Sequence, residues 1–175
     1  MKWARVICVA MVTTSACGGG GHVAPTVDAA VDAPPATDDP NDPDVPPRGE
    51  ALLIPWLAAG HYKAWACEPA PHPEVFPSNH GDNRTCNNSI LHTAPPAIGN
   101  YPLDSASVKE LYADDDVTII AYAVSRKIND NLGDGWYWFE NKPGFVVDGQ
   151  AVPAANPCTA CHQCARRDFT FAVVP

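Results

Sequence analysis

Residues 107–127, SVKELYADDDVTIIAYAVSRK, decide the fold. In their first part Val108, Glu110 and Tyr112 fall on one side and Lys109 and Leu111 on the other. That period of two is the mark of a strand with two unlike faces. Asp114, Asp115 and Asp116 then interrupt the pattern, and short carboxylates that hydrogen-bond their own backbone suit a hairpin turn. Residues 117–127 follow as a β-branched, nearly continuous apolar run, as expected of a central strand. A second turn, NLGD at 131–134, precedes the aromatic stretch GWYWFE at 135–140, which reads as a third strand. Three strands joined by short turns predict an antiparallel meander.

The flanks are less regular. Residues 50–60 are apolar with weak helical spacing, and Pro55 either interrupts that helix or sits near its start. Residues 67–102, rich in Pro, Asn, His and Gly, read as loops with short extended pieces. A short helix is expected around 158–167, then an extended piece over 168–174. The expected class is α+β, mainly antiparallel β-sheet with a few short helices.

The N-terminal part has a different composition. Residues 1–16, MKWARVICVAMVTTSA, combine Lys2 and Arg5 with a short apolar run and small residues, the make-up of a secretory signal. Thr14-Ser15-Ala16-Cys17 resembles a bacterial lipoprotein box, in which Cys17 would be acylated and become the new N-terminus. Gly18 after that Cys favours the outer membrane by the sorting rule of such proteins. A plain secretory signal with a nearby Cys is the simpler alternative. From Gly18 to Pro47 there is no Lys, Arg, aromatic, Leu or Ile, but six Asp and seven Pro. Such a segment buries too little apolar surface to offset the entropy of ordering, so 17–47 is expected to be an unstructured tether. The domain is expected over 48–175.

The chain has 175 residues, seven Cys and a net charge of −9. No apolar run reaches the roughly 18 residues a membrane span needs, so contact with a membrane is expected through the lipid anchor only. The acidic balance argues against nucleic-acid binding, which needs a basic stripe. Removing residues 1–16 leaves six Cys, and six of the remaining acidic charges sit in the tether.

Cys158-Thr159-Ala160-Cys161-His162 is C-x-x-C-H, the attachment pattern for haem c. Two Cys three apart on a helical turn reach the two vinyl groups of one haem and form thioethers. The adjacent His162 is then carried beneath the ring, where its imidazole ligates the iron. An export signal agrees, since haem c is attached outside the cytoplasm. Two other readings exist. Cys158 and Cys161 could form a redox or structural disulfide, and Cys158, Cys161, His162 and Cys164 are all zinc-ligand types in an unusual zinc spacing.

The C-terminal pattern Cys158-x-x-Cys161-His162, followed by Asp168-Phe169-Thr170-Phe171, resembles the end of the cytochrome P460 and cytochrome c′-beta family. His80-Gly81-Asp82-Asn83-Arg84, Tyr101-Pro102, Val108-Lys109-Glu110-Leu111-Tyr112, Tyr122-Ala123-Val124 and Gly135-Trp136-Tyr137-Trp138 occur in a similar order, so the resemblance covers about residues 57–172. It implies an antiparallel β fold, often homodimeric, around one haem. His162 would lie below the iron and an open face above it. In P460 enzymes a lysine cross-linked to the haem edge accompanies hydroxylamine oxidation, and Lys109 matches it. Arg84 matches a basic residue near the distal pocket. The c′-beta proteins lack the cross-link and bind gases such as nitric oxide. Three functions follow as expectations: an oxidoreductase for a small nitrogen compound, a nitric-oxide-binding module, and an electron carrier with a redox partner protein. A non-haem structural lipoprotein is the outsider.

Simpler roles stand beside these. Lys109 would otherwise be a solvated strand lysine, and Arg84 would pair with Asp82 or Glu110. Cys67 and Cys86 are candidates for a disulfide worth about 3 kcal/mol by chain entropy, although Cys164 could pair with either. His61, His72, His80 and His92 are candidate sixth iron ligands. Trp136, Tyr137 and Trp138 would line the haem pocket or fill the core, and Asp168 would orient a haem group or cap a strand.

Overall fold

A computed structural model describes residues 38–75, 78–95, 99–131, 135–150, 156–165 and 167–171. The signal segment, Cys17 and most of the expected tether lie outside the described residues. Among the described residues no helix is long and apolar enough to cross a membrane.

The chain runs through α1 (Glu50–Ala59), a 3₁₀ turn (His61–Ala64), β1 (Ala66–Cys67), β2 (Asn83–Asn87) and α2 (Ser89–His92). It continues through β3 (Ala106–Tyr112), β4 (Ile119–Lys127), β5 (Trp136–Lys142), β6 (Phe145–Gln150) and α3 (Pro157–His162). The six strands form one antiparallel sheet in sequence order. The meander expected from 107–140 is therefore its centre, with β1, β2 and β6 added at the flanks.

Strand alternation gives the sheet two unlike faces. Cys86, Val108, Val124 and Phe139 are successive register partners across β2 to β5. They pack with Leu53, Trp56, Leu57 and Tyr62 into the main core. Leu53, Trp56 and Leu57 lie at i, i+3 and i+4 of α1, which is why that helix buries one stripe. Pro55 lies inside α1 on its exposed side, and Gly60 ends the helix at φ 76° with its N–H on the Leu57 carbonyl at 2.9 Å. The sheet anchors the start of the helix, because Gly49 N–H donates to the Tyr137 hydroxyl and Glu50 N–H to Asp148 Oδ2, both at 2.9 Å.

The next row on the same face is polar. Arg84, Glu110 and Tyr122 are register partners, and the buried Glu110 carboxylate accepts from Tyr62 at 2.7 Å and Tyr112 at 2.6 Å. Burial and the neighbouring Glu110 carboxylate push the Tyr112 hydroxyl up to about 12. Cys67 and Cys86 are register partners across β1 and β2 and are joined in a disulfide. Cys164 is also disulfide-bonded, so it is not a spare thiol, and Cys67 and Cys86 are not its partners.

Residues 38–47, expected within the tether, instead dock on the domain. Trp56 and Trp65 donate their indole N–H groups to the Asp42 and Pro43 carbonyls at 2.7 and 3.1 Å. Asn88 donates to the Asp44 carbonyl at 3.0 Å, and buried Arg126 donates to the Pro46 carbonyl at 2.9 Å. Asp38 pairs with Arg48 at 2.7 Å and with Arg126 at 3.0 Å. Composition treats this segment as unable to bury apolar surface, but its order comes from backbone carbonyls captured by donors of the domain.

The C-terminal piece also differs from expectation. Of the extended piece expected over 168–174, residues 172–174 lie outside the described residues, and 167–170 are a tight turn closed by Thr170 N–H on the Arg167 carbonyl at 2.8 Å. Asp168 and Phe169 sit there at φ 40° and 59°, conformations an extended segment does not contain.

A candidate haem site

The opposite face of the sheet is lined with small and polar side chains. Thr85, Lys109, Ala123 and Glu140 form one register row, and Ser107, Ser125 and Trp138 form the next. Short side chains in the middle of these rows leave space above the sheet. That space is a cavity of about 660 Å³. It falls within the roughly 300–1,000 Å³ typical of cofactor and small-ligand sites.

Helix α3 carries the C-x-x-C-H residues to this cavity. Asn156 caps it, its Oδ1 accepting from Cys158 N–H at 2.9 Å, and Pro157 occupies the first helical turn. Cys158, Cys161 and His162 all line the cavity. Cys158 is buried beside Leu91, Trp136 and Trp138, and Cys161 is exposed. Both remain thiols. Burial, with the Glu140 carboxylate adding, pushes the Cys158 thiol up to about 12, so it stays protonated at neutral pH.

His162 is oriented by its surroundings. Its Nδ1 lies 2.8 Å from the Phe169 carbonyl. A carbonyl only accepts, so Nδ1 carries the proton and Nε2 keeps its lone pair, the form that ligates a metal. Trp138 and Phe171 flank the ring at centroid distances of 4.5 and 5.3 Å. Burial lowers the His162 pKa to about 4, with the His80 and Lys109 charges adding, so the imidazole is neutral.

The carbonyl that orients His162 is itself held in place. Asp168 and Lys127 form an ion pair at 2.8 Å with both side chains fully buried. Asp168 also accepts the Tyr101 N–H at 2.8 Å, and Lys127 donates to the Asn131 carbonyl at 2.8 Å. Arg167 stacks over the Tyr101 ring at 3.8 Å and donates to the Pro95 carbonyl at 2.6 Å. These contacts over-determine the left-handed turn at 168–169, the condition under which non-Gly residues keep such a conformation. Asp168 is thus an anchor of the turn that presents the Phe169 carbonyl.

The candidate residues separate clearly. Lys109 lines the cavity with Cys158, Cys161 and His162, partly buried rather than solvated. Burial lowers its pKa, and Glu68 and Glu140 oppose that shift. Arg84 is not among the cavity-lining residues. It lies one position from Thr85 along β2, so it points to the other face, 3.6 Å from Glu110. The distal-pocket expectation for Arg84 is therefore corrected to an ion pair with Glu110. His72 and His80 line the cavity, while His61 packs against Trp56 and His92 ends α2 in an exposed position. Trp138 lines the cavity, Trp136 lies beside it in the core, and Tyr137 faces α1.

Residue patterns missed Glu68 and Glu140, both in the cavity wall. Glu140 had a usable signal, since it lies two residues beyond Trp138 on a strand and must share its face. Glu68, in a loop after β1, had none.

The residues that line the cavity decide whether a haem fits. The cavity has ring walls at Trp138, Phe171 and Phe145, and an imidazole with a tethered Nδ1. The buried Trp138 Nε1 has no hydrogen-bond acceptor among the described residues. Such an orphan costs about 1–3 kcal/mol, and an acidic group on a bound cofactor would satisfy it. The residues fit. Zinc fits less well, because Cys164 is disulfide-bonded and supplies no thiolate. Among the described residues no group of three or more His, Cys, Asp or Glu is arranged to hold a bare metal ion.

No family model, curated protein or solved structure matches this chain.

Proposed function

We propose that this chain is an exported, lipid-anchored, mono-haem c-type cytochrome of the cell envelope. In this reading Cys17 carries the lipid, Cys158 and Cys161 hold the haem, and His162 ligates its iron. The observation that carries it is the convergence of Cys158, Cys161 and an Nδ1-tethered His162 on one cavity of about 660 Å³. When bound, the haem supplies an iron that passes single electrons and takes small ligands. The chain's own residues do the rest. The Phe169 carbonyl holds His162 in one tautomer, and Trp138 and Phe171 restrict its ring.

Lys109 favours the P460-like version of this reading, in which a small nitrogen compound such as hydroxylamine is oxidised. Lys109 lines the same cavity, and burial favours its neutral form. Holoprotein matured with haem c is expected to consume hydroxylamine when an electron acceptor is supplied. Lys109→Ala is expected to lose at least tenfold in rate while keeping its covalent haem. A holoprotein that binds nitric oxide but leaves hydroxylamine untouched would overturn the enzyme version and leave a gas-binding cytochrome.

Protons compete with iron for Nε2. Burial lowers the His162 pKa to about 4 with no metal bound, and ligation lowers it further, so the holoprotein spectrum is expected to hold steady from pH 8 to pH 5. Loss of the spectrum within that range would contradict ligation by the buried His162.

A further inference from the structure

His80 lies in the cavity wall and is held much as His162 is. Its Nδ1 is 3.4 Å from the Glu140 carboxylate. A carboxylate beside one ring nitrogen orients the imidazole and leaves the lone pair on Nε2, the arrangement seen behind metal-bound histidines. The loop carrying it is pinned on both sides. Lys142 donates to the Asn79 carbonyl at 3.1 Å, and Gly81 N–H donates to Glu74 at 3.0 Å. Asn83 donates to the Gly81 carbonyl at 2.7 Å.

The His80 and His162 ring centroids are 6.4 Å apart, with the ring planes inclined at 70°. Metal–imidazole bonds are about 2 Å long, so two imidazoles on opposite faces of one metal have ring centres roughly 6 Å apart. The observed spacing fits that arrangement. Each ring therefore has one nitrogen tied to an acceptor and, among the described residues, the other unengaged, with the ring centres at a separation one iron spans. Of the four histidines considered as a second ligand, His61 and His92 do not line the cavity. His72 does, but both its ring nitrogens are engaged, Nδ1 with the Pro73 carbonyl at 2.7 Å and Nε2 with Glu68 at 3.2 Å.

We propose that His80 is the second axial ligand of the iron, on the face opposite His162, and that Glu140 positions it; this rests on the haem reading above. The iron is then closed at rest, and a small molecule reaches it only as His80 leaves. Glu140 is a positioning residue in this account.

The test uses the full holoprotein with covalent haem. The ferric wild type is expected to be six-coordinate and low-spin by absorption and electron paramagnetic resonance. His80→Ala is expected to become high-spin and to bind carbon monoxide in the ferrous state at least tenfold faster. Added imidazole is expected to return it to low-spin, which a misfolded variant would not do. Glu140→Gln is expected to give a mixed-spin state, and an unchanged spectrum would remove Glu140 from the proposal. A wild type that carries covalent haem but is high-spin overturns the His80 assignment and leaves the haem reading standing. So does a low-spin spectrum that survives in His80→Ala, which would assign the ligand elsewhere, Lys109 first. A wild type that takes no covalent haem overturns both.

Discussion

Replacing Cys158 and Cys161 together by Ala is expected to abolish covalent haem while leaving the sheet intact. The two thiols sit on one face of a short capped helix, and both line the cavity that would hold the porphyrin. Neither belongs to the core between α1 and the sheet, which Leu53, Trp56, Leu57, Val108, Val124 and Phe139 build. The far-ultraviolet dichroism of the double variant should therefore match that of the wild type. Each single variant keeps one thioether and should retain haem in denaturing gels at reduced yield. His162→Ala removes no attachment point, so it should keep the stain and lose the wild-type spectrum. This split separates attachment from ligation. A double variant with full covalent haem stain would refute attachment at α3.

Asp168→Ala is expected to cost about 3–5 kcal/mol of stability, the usual consequence of leaving one member of a buried ion pair unpaired. Lys127 and Asp168 are both fully buried, and without the carboxylate Lys127 keeps the neutral Asn131 carbonyl and the Trp136 ring 5.4 Å away. For a domain of this size such a loss lowers the melting temperature by roughly 10 °C or more. A second effect follows from position. Asp168 also holds the Tyr101 N–H and stands at φ 40° beside Phe169, whose carbonyl orients His162. The variant should lose the fixed orientation of His162 and show altered iron ligation in the holoprotein. Lys127→Met/Asp168→Asn removes both charges and keeps a side chain that tolerates left-handed backbone, so it should recover much of the stability. An Asp168→Ala midpoint within about 1 kcal/mol of the wild type would show that the pair does not hold the turn.

Local patterns carried the centre of the fold. The period of two over Val108, Lys109, Glu110 and Leu111 is enough to put Lys109 and Glu110 on opposite faces, and they are. Helix α3 was likewise visible in the sequence around Cys158 and His162. Strand β2 was not, because NRTCN has no apolar alternation and is a strand through its pairing with β3. The placement of Arg84 by resemblance failed for the same reason, since without a strand assignment there is no face to assign. Edge strand β6 passed unnoticed because its Val-Val-Asp-Gly run mixes strand and turn signals. Docking of 38–47 rests on four backbone carbonyls, which leave no trace in side-chain composition, and on Asp38, whose partner Arg126 lies 88 positions away. The pairings that shape the site join residues far apart in sequence. Lys127 meets Asp168 across 41 positions and His80 meets Glu140 across 60, distances no local pattern spans.

The most direct measurement is the mass of the intact full chain after expression in a host that attaches haem c, followed by sequencing of the peptide that retains the haem. The account predicts a mass increase of one haem and a haem-bearing peptide that contains Cys158, Cys161 and His162. A polypeptide mass with no haem, or a haem carried by a peptide without these residues, would contradict it.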